Sequence, residues 1–180
     1  MKLIAEETLL IVIDVQEKIF SAMYEKEKTK QNICQLIEGI KVLKIPMVWT
    51  EQYPKGLGPT LRDIAFALKG IDLMEKITFS CLGDNAVLSK IKSYSKKQVL
   101  VCGIETHVCV YQTVQDLLEE GFNVQVVTDA VMSRQKSNYN IGLQKMSAIG
   151  ATLTSVEMAL FELQIVASGD NFKSLARIIK

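Results

Sequence analysis

The run Val99-Leu100-Val101-Cys102-Gly103-Ile104-Glu105-Thr106-His107-Val108-Cys109 passes from continuous apolar residues into a turn and then into helical spacing. A strand that is apolar at nearly every position is buried on both faces, as in a parallel sheet covered by helices. The thiol of Cys109 then falls in the first turn of the following helix, at the strand's carboxyl end. Unpaired N–H groups at a helix start carry partial positive charge, which favours thiolate over thiol. Open α/β sheets also bind ligands in the crevice beyond the carboxyl ends of their strands. Cys109 is therefore the first candidate for chemistry.

Outward from this run the same alternation recurs. Short apolar runs at Leu9–Ile13, Met47–Thr50, Val124–Thr128 and Ala151–Thr154, with a weaker one at Leu73–Phe79, predict further strands. Helical spacing joins Ile33, Leu36, Ile37, Ile40 and Leu43 into one stripe. It joins Val110, Val114, Leu117 and Leu118 into another, with Gly121 as the C-terminal cap. Strands alternating with helices predict a three-layer, doubly wound α/β fold: a mainly parallel, six-stranded sheet in the order 3-2-1-4-5-6, with helices on both faces. The Pro54–Pro59 segment reads as a functional loop inside one domain spanning residues 1–180.

Bulk properties narrow the classes of function. A chain of 180 residues buries roughly 70% of its unfolded surface as one domain. The 21 basic and 20 acidic side chains leave almost no net charge, which points away from nucleic acid and from anionic membranes. No apolar run reaches the ~20 residues of a membrane span, and Glu6, Glu7 and Asp14 interrupt any secretory signal. A cytoplasmic protein is expected. Cys34, Cys81, Cys102 and Cys109 form no CxxC pair and are expected as thiols. With one histidine in the chain, a histidine-based metal site is not expected. Neither GxGxxG nor GxxxxGK[ST] occurs, so no phosphate-cradling loop and no cofactor are predicted.

Asp14 ends the first strand, in Ile11-Val12-Ile13-Asp14-Val15-Gln16. Taken alone, a strand-end aspartate caps a turn or pairs with a cation as readily as it catalyses. In the predicted order strands 1 and 4 are neighbours, so Asp14 and Cys109 face each other across one crevice, where a carboxylate serves a thiol as general base. Lys76 is expected near a strand end; an ammonium there lowers a thiol's pKa, although most lysines are solvated. His107 is two residues from Cys109 and points to another helix face. Cys102 and Cys34 read as core, and Cys81 as a bystander in a turn. Trp49 and Tyr53 border the loop and are candidates for a pocket wall.

With Asp14, Lys76 and Cys109 in that order, the chain resembles the isochorismatase-like cysteine hydrolases over nearly its whole length. The resemblance rests on Ile13-Asp14-Val15-Gln16, Thr50-Glu51-Gln52-Tyr53-Pro54, Lys76 with Phe79-Ser80, Gly103 to Val110, and Thr128-Asp129-Ala130. The wording Glu105-Thr106-His107 before the cysteine is similar to the isochorismatase-domain-containing branch. The resemblance implies Cys109 as nucleophile, Asp14 as general base and acid, and Lys76 as supporting cation. It implies a cis peptide at Ile104–Glu105, with the backbone N–H groups of Glu105 and Cys109 as an oxyanion hole.

Two departures from the family's patterns matter. Metal-binding nicotinamidases carry an aspartate and two histidines where this chain reads Glu51-Gln52-Tyr53, and members that cleave a vinyl ether generally lack the cysteine. The expectation is thus a metal-independent hydrolase of a C–N bond in a small amide or carbamoyl compound, with an alkylation-prone thiolate. Homo-oligomerisation is implied as well, with Met158–Val166 as a contact surface. A non-hydrolytic small-molecule-binding or assembly protein is the alternative from another class. A thiol redox sensor pairing Cys109 with Cys81 is the third.

Overall fold

A computed structural model describes residues 2–180. The chain runs through β1 (Thr8–Ile13), α1 (Glu17–Phe20), α2 (Lys26–Val42), β2 (Met47–Gln52), α3 (Pro54–Leu57) and α4 (Arg62–Ala67). It continues through β3 (Leu73–Lys76), α5 (Asn85–Ser93), β4 (Gln98–Ile104) and α6 (Tyr111–Glu119). The last third holds β5 (Asn123–Met132), α7 (Lys136–Ala148), β6 (Thr152–Thr154), α8 (Val156–Gln164) and α9 (Gly169–Ile178).

The six strands form one sheet in the order β3-β2-β1-β4-β5-β6, and every pairing is parallel. Alternation along the strands divides the core. Leu10, Val12, Leu100 and Cys102 face the buried residues of α2 and α8, while Leu9, Ile11, Val99 and Val101 face those of α5, α6 and α7. β1 and β4 are buried at every residue, which is why both read as continuous apolar runs. The predicted helix stripe is largely realised, with Ile33, Leu36, Ile37 and Ile40 fully buried on α2 and Leu43 just past the helix end. No helix among the described residues is long and apolar enough to cross a membrane.

Several boundaries differ from the sequence expectation, each for a physical reason. β2 continues past Thr50 to Gln52, because Glu51 is buried with its carboxylate on the Thr60 N–H and Gln52 pairs in register with Lys76. β5 runs on to Met132 through a shift of register against β4 between Val101 and Gly103. The polar Thr128 and Asp129 sit in that irregular stretch, which hides the strand's continuation from its periodicity. β3 stops at Lys76, whose Nζ donates to the carbonyls of Thr78 and Phe79, both at 3.1 Å, and folds the chain back on itself. The Pro54–Pro59 loop contains the helical turn α3.

Candidate active site

The carboxyl ends of β1 to β4 bring together residues far apart in sequence. Asp14 follows β1 in the left-handed region at φ +53°, turning its carboxylate away from the strand path. β4 lies beside it with Gly103 opposite Ile13, at φ +122°. A Cβ on Gly103 would collide with the Ile13 carbonyl, so only glycine lets the two strands stay in contact at this bend. Both carboxylate oxygens of Asp14 are engaged. Thr50 Oγ1 donates to Oδ1 at 2.8 Å, and Lys76 Nζ donates to Oδ2 at 2.6 Å in an ion pair whose side chains are 0% and 3% exposed. Lys76 is therefore a buried partner of Asp14 rather than a solvated surface charge.

Cys109 lies on a π-helical turn, Thr106–Val110, that precedes α6, instead of in the first turn of the α-helix itself. The peptide bond Ile104–Glu105 is cis. The Glu105 carbonyl accepts from the N–H groups of Val108 and Val110, and its side chain accepts from the backbone N–H and Nε of Arg134. α7 presses on this turn through Gly142, where a Cβ would meet Thr106 and the His107 backbone at 3.1–3.2 Å. The Cys109 thiol is buried and donates to Gln52 Oε1 at 2.9 Å.

The electrostatics correct one expectation. Burial pushes the Cys109 thiol well above the ordinary thiol range, and the nearby Asp14 carboxylate adds to the rise; the Lys76 ammonium opposes both and does not offset them. That direction runs against a preformed thiolate at Cys109. Lys76 is itself raised: burial, the largest single effect, would lower it, and the Asp14 carboxylate together with Cys81, Cys109 and the Asp14 hydrogen bond outweighs burial. Fully buried Cys81 borders the same cluster, with Sγ 3.7 Å from Thr50 Oγ1, and burial lifts it to about 11. The arrangement can hold a thiol near a carboxylate whose cation is already in place.

An isochorismatase domain family model matches residues 8–158. The chain belongs to the isochorismatase family. It is 36% identical to the secreted isochorismatase effector Isc1 of Phytophthora sojae, over 99% of this chain and 87% of that one. It is 34% identical to isochorismatase domain-containing protein 2 of Danio rerio, over 99% and 89% of the two chains. Among solved structures it is similar to the MAR1 ribonuclease of Caenorhabditis elegans, with a TM-score of 0.93, 34% identity and coverage of 99% and 92%. Isochorismatase-family proteins constitute a hydrolase superfamily.

In this isochorismatase-family chain, the remaining candidates separate by strand alternation. Trp49 sits on the other face of β2 from Thr50 and Gln52; its indole N–H donates to Thr60 Oγ1 at 3.0 Å and its ring packs against the α2-side core. It does not join the cysteine. Tyr53 is half exposed and, with Pro54, Lys55, Glu75, Lys76, Ile77 and Asp84, lines a cleft of about 270 Å³. His107 bonds Ser133 Oγ through Nδ1 at 3.0 Å, and Cys102 is enclosed in the core. Cys34 is half-buried on α2. Among the described residues no group of three or more His, Cys, Asp or Glu is placed to hold a metal ion. Sequence reading missed Thr50 and Gln52 as site residues. Their two-residue spacing, which puts both on one strand face, was the available signal.

Proposed function

We propose that this isochorismatase-family protein is a metal-independent cysteine hydrolase that cleaves a C–N bond of a small amide or carbamoyl compound. One observation carries the reading: the buried thiol of Cys109 lies near enough to the buried Asp14–Lys76 ion pair for both charges to act on it. Glu51-Gln52-Tyr53, standing where metal-binding members carry an aspartate and histidines, supports metal independence.

In this mechanism Asp14 takes the Cys109 proton as sulphur attacks the carbonyl carbon, so no free thiolate need accumulate. The carbonyl π electrons move to oxygen, where the backbone N–H groups of Glu105 and Cys109 receive the negative charge. Collapse of this intermediate breaks the C–N bond, and Asp14 returns the proton to the departing nitrogen. Water then hydrolyses the thioester or thiocarbamate, with Asp14 accepting the water's proton and restoring the thiol. Lys76 holds the Asp14 carboxyl in place while Asp14 takes up and returns the proton.

A screen of small carboxamides, ureides and carbamoyl amino acids, read by ammonia release, tests the reading. Cys109→Ala is expected to abolish turnover of any positive compound while the circular dichroism spectrum stays native. Undiminished release by that variant would overturn the mechanism. The ribonuclease name belongs to the worm relative; here a net charge of +1 offers little of the phosphate attraction on which RNA binding relies.

A further inference from the structure

Gln52 touches the reacting sulphur yet has no part in the chemistry just described. Its Oε1 accepts the Cys109 thiol proton at 2.9 Å, and its Nε2 donates to the Ile77 carbonyl at 3.3 Å. A backbone carbonyl can only accept, so the amide nitrogen must face Ile77 and the oxygen must face the thiol. The backbone of Gln52 is held equally firmly. Its N–H donates to Gln16 Oε1 at 2.8 Å, and its carbonyl accepts from Gln16 Nε2 at 3.0 Å. Gln16 is fully buried and also donates to the Gly58 carbonyl at 2.7 Å. An acceptor is thus aimed at the sulphur before any substrate arrives.

When Cys109 attacks, its proton leaves for Asp14 and Gln52 Oε1 loses its donor. The scissile nitrogen is bonded to the carbon that sulphur attacks, two bonds from Sγ, and an N–H on it can take the thiol's place. Resting on the C–N hydrolase reading above, we infer that Gln52 Oε1 is a specificity-determining acceptor for the N–H of the scissile nitrogen. It selects primary carboxamides and ureides over esters and N,N-disubstituted amides. An ester presents an oxygen to that acceptor, lone pair against lone pair. A site built around a hydrogen bond rejects the analogue that lacks it far more strongly than a shape-matched apolar wall does. Gln52 exchanges no proton itself; it holds one N–H while Asp14 delivers another proton to the same nitrogen as the C–N bond breaks.

The test uses the carboxamide that releases most ammonia in the screen, its N,N-dimethyl derivative and its methyl ester, on the full-length protein. Gln52→Met is expected to lower kcat/KM for the carboxamide at least about tenfold more than for the ester, the effect of losing one transition-state hydrogen bond. Gln52→Glu keeps an acceptor at the same place. It is expected to slow both substrates through its charge while holding their ratio within about threefold of the native value. Acylation of Cys109 by p-nitrophenyl acetate, followed by mass spectrometry, verifies that each variant retains its site. Should Gln52→Met fail to fold, Gln52→Glu decides: a preserved ratio supports the inference, and a ratio collapsed toward the ester overturns it. Equal losses on carboxamide and ester in Gln52→Met overturn the inference and leave the C–N reading standing. A native enzyme that releases ammonia from no compound in the screen overturns that reading instead.

Discussion

At Cys109 two effects oppose each other, and their sizes decide the state of the thiol. The nearby Lys76 ammonium favours the thiolate, but burial and the Asp14 carboxylate outweigh it. Alkylation by iodoacetamide is therefore expected to be slow at pH 6, and its rate to climb about tenfold per pH unit past pH 9, where an ordinary thiol levels off. A plateau below pH 8 would contradict the protonated resting state. Asp14→Asn removes the negative charge that raises the thiol and leaves Lys76 to attract a thiolate. That variant is expected to lose amide turnover by several orders of magnitude while alkylating at least about tenfold faster than the native protein at pH 7. Turnover and alkylation falling together would mean that Asp14 acts only by holding the fold. Lys76→Met strands a buried carboxylate and is expected to cost about 3–5 kcal/mol, measured by urea unfolding.

At the level of elements, the site depends on how closely β1 and β4 run. Gly103 carries a backbone conformation that disfavours side chains and has the Ile13 carbonyl against the position of its missing Cβ. Gly103→Ala is expected to destabilise the protein by about 3 kcal/mol or more, because neither strain nor contact can relax without moving β1. An unchanged urea midpoint would show that the strands have slack. The start of α5 supplies a smaller, independent check. Asp84 caps that helix by accepting from Ala86 N–H at 2.9 Å and Val87 N–H at 3.2 Å, so Asp84→Ala is expected to cost about 1 kcal/mol by the same measurement.

For the whole molecule, the α8 segment presents two characters. Ala159, Leu160 and Leu163 are buried, whereas Met158, Ile165 and Val166 are 62%, 68% and 56% exposed. That exposed set supports a proposed contact between copies of the chain, narrower than the whole Met158–Val166 stretch. Light scattering is expected to show an oligomer whose mass drops in the double variant Met158→Glu, Ile165→Lys; an unaltered mass would place the interface elsewhere. The strand order, the two core faces and the positions of Asp14 and Cys109 at strand ends were all legible in the sequence. Local periodicity reports burial, and parallel crossovers leave few topologies that bury those runs. The place of Lys76 beside Asp14, 62 residues away, came from the family resemblance and not from spacing, and the bond from Cys109 to Gln52 across 57 residues was not legible at all. Alternation assigns a side chain to a face of its own strand but not to a partner on another. The side of the sheet that Trp49 takes, the partner that Lys76 finds and the proton that Cys109 keeps follow from desolvation and hydrogen bonding among distant segments. Those forces act only once tertiary structure has closed the pocket.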